Sequence, residues 1–189
     1  MKNFNLYIEQ FDYTPIRELF RTKEQLRILK KREYLVHQNE ATQIVALIEC
    51  GIFRYICTSD DGNEHIIGYS FQGEFVCDYP SLILGSRTTV SIQAMVDCEV
   101  YWLPIHVLNQ FWETNMDTQR MGRHAAEILF TEMYQRLLGF YCDTPEQRYI
   151  KLMRRCPDLK EKIPLKDIAS FLRVTPETVS NIRRKLRYK

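Results

Sequence analysis

The chain is poor in the residues that mark unstructured or fibrous sequences, with seven Gly and seven Pro in 189 positions. That scarcity excludes a collagen-like, low-complexity or linker-dominated protein. Long apolar runs are missing as well. The longest, residues 44–48, falls far short of a membrane-spanning helix, as does the run at 82–84. Met1-Lys2-Asn3-Phe4 does not open a secretory signal, because Glu9 and Asp12 interrupt any apolar stretch behind it. The six cysteines, at 50, 57, 77, 98, 142 and 156, include no pair at metal-knuckle spacing. The four histidines are equally scattered, so no metal site is expected. Without a secretory signal the cysteines read as reduced residues of a cytoplasmic protein. No phosphate-cradling Gly-rich loop and no nucleophile–base spacing is present, so no catalytic residue is assigned and an enzyme is not expected.

Net charge is nearly absent too, at +2, but its placement is uneven. Residues 144–189 hold thirteen Lys/Arg against five acids, a net of +8; the residues before them hold thirteen against nineteen, a net of −6. A basic end on an acidic body points to contact with nucleic acid or an anionic surface.

Three zones follow along the chain. Residues 14–31 carry Ile16, Leu19, Phe20, Leu26, Ile28 and Leu29 among charges, which predicts short amphipathic helices. From about 33 to 103 the pattern is short β segments, notably 44–48, 52–56, 65–69 and 100–103. Asp60-Asp61-Gly62-Asn63 forms a hairpin turn between two of them. A sandwich or barrel is expected there. A helix then spans about 117–141, where Ala126, Phe130, Met133, Leu137 and Phe140 recur at alternating spacings of four and three. A second set, Met121, Ala125, Ile128 and Leu129, can cover the β-domain and leave the first for a partner helix. The competing reading packs the first set on the β-domain itself. Asp143-Thr144-Pro145 breaks this helix, with Thr144 as N-cap and Pro145 opening the next.

The last 25 residues carry the sharpest pattern. Residues 165–172 predict a short helix, Arg173-Val174-Thr175 a turn, and residues 176–187 a second helix. Ala169 is the small residue a close helix crossing needs; Ile168, Leu172, Val174, Val179 and Ile182 supply the apolar positions around it. Thr175 can cap the second helix, whose polar face presents Glu177, Thr178, Ser180, Asn181, Arg184 and Lys185. Such groups pair with base edges and phosphates, so Thr175 and these six are the DNA-binding candidates. Arg173 stands where a turn of this kind favours Gly, because positive φ is required there.

On these residues the whole chain resembles the Crp/Fnr family of bacterial transcription regulators. Asp167-Ile168-Ala169 followed by Val174-Thr175-Pro176-Glu177-Thr178-Val179-Ser180 is similar to that family's recognition element. The resemblance implies an α+β fold. An N-terminal β-roll of double-stranded β-helix or jelly-roll type would form a cyclic-nucleotide-binding-like effector domain over 1–116. A dimerisation helix would follow over 117–143, and a helix-turn-helix DNA-binding domain over 144–189 with a minimal or absent wing. It also implies a homodimer joined through Ala126, Phe130, Met133, Leu137 and Phe140, with double-stranded DNA and RNA polymerase as partners and no membrane. Glu177 keeps the family's base-reading Glu. Pro176 and Asn181 replace arginines that read guanine in the best-known members, which implies a different operator.

The segment Gly73-Glu74-Phe75-Val76-Cys77-Asp78, followed by Arg87-Thr88-Thr89, resembles the family's phosphate-binding cassette. The effector-site candidates are therefore Gly73, Glu74, Asp78, Arg87 and Thr88, with a cyclic nucleotide or another small anion as the ligand class. Two departures weigh against cyclic AMP. Cys77 and Asp78 replace the family's Gly-Glu pair, and Met133 and Tyr134 replace the hydroxyl pair that meets adenine on the long helix. A different class of function stays open beside this one: a small-molecule sensor whose C-terminal helices bind a protein partner.

Overall fold

The computed structural model describes residues 4–22 and 26–187. Residues 1–3, residues 23–25 within the expected N-terminal helices, and residues 188–189, where the chain was expected to stop short of a wing, lie outside the described residues. Two short helices come first, α1 (Tyr7–Gln10) and α2 (Thr14–Thr22). Among the described residues eight strands follow: β1 (Leu26–Leu29), β2 (Tyr34–Val36), β3 (Ile44–Cys50), β4 (Ile52–Thr58), β5 (Glu64–Phe71), β6 (Phe75–Val76), β7 (Ser91–Ala94) and β8 (Cys98–Pro104). Helix α3 (Tyr79–Leu84) lies between β6 and β7. The strands form two antiparallel four-stranded sheets, ordered β1-β8-β3-β6 and β2-β7-β4-β5.

Helices were expected through residue 31, but Leu26, Arg27, Ile28 and Leu29 form the edge strand β1 instead, paired with Tyr101 to Cys98 of β8. A short apolar run has no decisive period of its own. Here the open edge of β8 decides, and only Leu29 is buried.

Alternation along the strands builds the cores. In β3, Ala46 and Ile48 face inward between the sheets, where Phe53, Val76, Ile92 and Val100 meet them. Val45 and Leu47 face outward into a second cluster with Phe20, Leu82 and Leu103. Helices α4 (Ile105–Trp112) and α5 (Met116–Cys142) cover that outer face. Met121, Ala125, Ile128 and Leu129 of α5 pack there, as the second apolar set anticipated. Gly122 permits the close approach, since a Cβ at that position would lie 3.1 Å from the Trp112 ring. Asn115 caps α5 by accepting from Asp117 and Thr118 amides, and the helix runs 27 residues, about 40 Å.

The C-terminal unit comprises α6 (Pro145–Arg155), α7 (Leu159–Lys162), α8 (Leu165–Phe171) and α9 (Pro176–Arg187). Thr144 caps α6 in a capping box with Gln147, and Pro145 occupies its first turn. This unit does not own a separate core. Tyr149, Leu152, Ile168, Ala169, Val179 and Ile182 cluster with Ile56, Ile66 and Tyr69 from the outer face of β4 and β5. Both faces of that sheet are therefore covered.

Candidate nucleic-acid interface

The α8–turn–α9 unit is assembled from the residues its spacing singled out. Ala169 and Ile168 are fully buried at the helix crossing, and Val179 beside them is equally inaccessible. Arg173 takes φ +53°, the left-handed conformation the turn needs. The strain, about 1 kcal/mol, is offset by the closing hydrogen bonds. The Arg173 amide donates to the Ser170 carbonyl and the Val174 amide to Ala169, both at 3.0 Å, satisfying carbonyls a helix end leaves free. Arg148 adds a second closure by donating through Nε and Nη2 to the Leu172 carbonyl.

The seven DNA-binding candidates divide by what they do in the fold. Thr175 Oγ1 accepts from the Thr178 amide at 3.2 Å and sits 2.9 Å from the Thr178 hydroxyl, so these two residues cap α9. Lys185 reaches back to the Glu146 carboxylate of α6 at 2.5 Å and braces α9 against it. Glu177, Ser180, Asn181 and Arg184 are exposed on the outward face. Arg184 donates to Asn181 Oδ1 at 3.0 Å. Exposed Lys166, Arg173 and Arg187 stand on the same unit. For Lys166 and Arg187 the only sequence signal is the net charge of 144–189.

On α5, Phe130, Met133 and Leu137 are 69%, 47% and 49% exposed. Tyr134, Leu138 and Tyr141 widen that apolar surface. Ala126 is half-buried. So is Phe140, whose ring lies under the Arg148 guanidinium at 5.5 Å.

The five cassette candidates are mostly satisfied from within. The Asp78 carboxylate is buried and accepts from the Thr89 amide at 2.6 Å and the Thr89 hydroxyl at 3.1 Å. Thr88 is buried; its hydroxyl donates to the His37 carbonyl and accepts from the Glu40 amide. Arg87 is exposed and donates to the Asn39 carbonyl at 2.7 Å. Gly73 turns the chain with φ +84° and accepts from Arg17. Glu74 is engaged elsewhere: Asn5 Nδ2 donates to it at 2.6 Å and the Phe71 amide at 3.0 Å. Burial pushes the Glu74 carboxyl up to about 7, against the opposing pull of the Phe71 and Asn5 donors. Burial also holds the Cys77 thiol near 12, a protonated and unreactive group.

As these side chains stand, the hydroxyl and carboxylate a cyclic phosphate and ribose would need are already bonded within the protein. Glu74 instead lines a cavity of about 590 Å³ between the sheet and the C-terminal unit, with Phe4, Phe71, Cys156 and Lys162. Among the described residues, no group of His, Cys, Asp and Glu could hold a metal ion, and no helix is long and apolar enough to cross a membrane.

Residues 26–115 match the family described as the cyclic nucleotide-binding domain. Compared by sequence, no curated protein matches the chain. Compared by structure, a CooA mutant from Carboxydothermus hydrogenoformans superposes with a TM-score of 0.71 at 17% identity, over 98% of this chain and 84% of that one. FixK2 from Bradyrhizobium japonicum gives 0.70 at 17%, over 86% and 84%. The c-di-GMP responsive global regulator CLP of Xanthomonas campestris gives 0.64 at 16%, over 94% and 92%.

Proposed function

From a chain that carries a cyclic nucleotide-binding domain at residues 26–115 within the fold of the Crp/Fnr-family regulators, we propose that this protein is a homodimeric, sequence-specific DNA-binding transcription regulator. The observation that carries the reading is the outward face of α9. Glu177, Ser180, Asn181 and Arg184 stand exposed on a helix whose opposite side, Val179 and Ile182, is anchored in the core. A helix-turn-helix inserts such a face in the major groove, and two copies one DNA turn apart read a palindrome. The apolar surface at Phe130, Met133 and Leu137 supports pairing of two α5 helices, which would set that spacing. A signal at the β-domain acts by shifting the population of reader orientations. RNA polymerase is the further partner of such a regulator, and the cytoplasm its place of action.

The effector is not assigned to cyclic AMP, because Asp78 and Thr88 are engaged within the protein. A thermal-shift panel of cyclic mono- and dinucleotides and simple anions tests it, since a ligand bound only by the folded chain raises the melting temperature. The function itself is tested by titrating labelled duplexes, including the region upstream of its own gene, at several salt concentrations. Affinity should fall steeply as salt rises, each neutralised phosphate adding about 0.9 to the logarithmic slope. Lack of salt-dependent affinity for every duplex would sink the reading.

A further inference from the structure

The first helix of the reading unit is clamped to the β-domain of its own chain. Asp167, on α8, is buried and its Oδ2 accepts from Arg54 Nη1 of β4 at 2.9 Å. Arg54 is itself held in place: Nε and Nη2 both donate to Gln93 Oε1, at 3.0 and 2.7 Å, and Gln93 donates to the Arg32 carbonyl. One turn along α8, the Ser170 hydroxyl accepts from the Ile66 amide of β5 at 2.9 Å. The Phe171 ring completes the contact between Phe4 and Tyr69, at 5.5 and 5.7 Å, with the Arg136 guanidinium of α5 over it at 5.0 Å. Three elements thus fix α8: a sheet, the long helix and the N-terminal segment.

The clamp has the makings of a switch. A buried ion pair adds little net stability over an apolar pair of the same size, but it fixes register and is costly to leave half-broken. The seam therefore favours two arrangements, closed or open, over a continuum. Closed, it ties the orientation of α9 to α5, so two readers in a dimer cannot adjust independently to a half-site spacing. It also carries an acidic element with it. The β4–β5 hairpin ends in exposed Asp60, Asp61 and Glu64. Glu64 stands two residues, about 7 Å of strand, from the amide that holds Ser170. Acids this close to the reading unit repel an approaching phosphate backbone within a Debye length of about 8–10 Å.

We propose that this α8–sheet seam is an autoinhibitory clamp, and that DNA binding draws on the population in which Arg54–Asp167 and Ile66–Ser170 have parted. This rests on the DNA-binding reading above and names how that site is restrained. Arg54→Gln opens the seam from the sheet side, and Ser170→Ala opens it from the helix side. Affinity for labelled mixed-sequence duplex DNA is measured for both by anisotropy, and hydrogen exchange at the Ile66 amide is followed in Arg54→Gln. The expected result is binding about fivefold tighter than wild type in each variant, the low end of ordinary coupling between sites. Exchange at Ile66 should be faster in Arg54→Gln. Unchanged or weaker binding by both variants while the wild type binds overturns the clamp and leaves the DNA-binding reading standing. Unaltered Ile66 exchange in Arg54→Gln overturns it as well. No binding by wild type or either variant removes the DNA-binding reading and the clamp's output together, whatever the exchange shows.

Discussion

Residues 73–89 and helix α9 are the two surfaces from which this chain's function could be read, and they hold their polar groups in opposite ways. On α9, Glu177, Ser180, Asn181 and Arg184 are exposed and offer donors and acceptors outward. In the cassette, Asp78 is bonded to Thr89, Thr88 to His37 and Glu40, and Arg87 to Asn39. A side chain recognises a ligand with hydrogen-bonding capacity the fold has not consumed. The difference shows that a segment can carry polar groups whose bonds all turn inward.

The largest expected effect tests how deeply the β-domain segment around Glu74 is committed to structure. Glu74 ordinarily ionises near 4.5 and is held near 7 by burial. Between those values the folded chain keeps a proton the unfolded chain has released, so stability falls as pH rises across that window and is level above it. The fall amounts to about 3 kcal/mol, at roughly 1.4 kcal/mol per unit. Urea unfolding of wild type and Glu74→Gln at about pH 5 and pH 8 should show it in the difference between them; parallel behaviour would break the assignment. Next, Asp78→Ala strips the Thr89 amide of its acceptor and should lower the unfolding free energy by about 2 kcal/mol, read by denaturant midpoint. A neutral outcome would mean that carboxylate is free for a ligand after all.

The smaller effects fall on exposed residues. Arg184→Ala should leave stability within about 0.5 kcal/mol of wild type and weaken DNA binding, lowering the salt slope by about 1 if it meets a phosphate. A stability loss well beyond that would class Arg184 with the structural residues. Arg87→Ala should change thermal stability least, within about 0.5 kcal/mol, because its single bond is to a surface carbonyl. A larger change would make it a structural member of the cassette.

What was legible in the sequence was local. The α8–α9 turn, the N-cap at Thr144 and the extent of α5 each follow from spacings of a few residues, and the structure places them with shifts of a residue or so. The strand form of β1 is not legible locally because its partners are distant in sequence: Leu26 pairs with Tyr101 and Leu29 with Cys98. Lys185 stands exposed on α9, and its pairing with Glu146 is visible only in the packing of α6. Arg54 and Asp167 stand 113 residues apart and have no shared motif. Ile52, Arg54 and Ile56 did leave a trace, since an exposed face of a half-covered sheet would not carry two isoleucines around one charge.

The shared core between the sheet and the C-terminal helices has a consequence for how this chain is assembled. Charge changes sign near residue 143, and the long helix breaks there, yet Ile56, Ile66 and Tyr69 on one side are buried among Ile168, Phe171 and Leu172 on the other. A cut at that break would strip the sheet of its cover and leave an apolar, aggregation-prone face, and the excised tail would lose part of its interior. Electrostatically the protein is two bodies; as a cooperative folding unit it is one, and its heat denaturation should show one transition where the charge map suggests two.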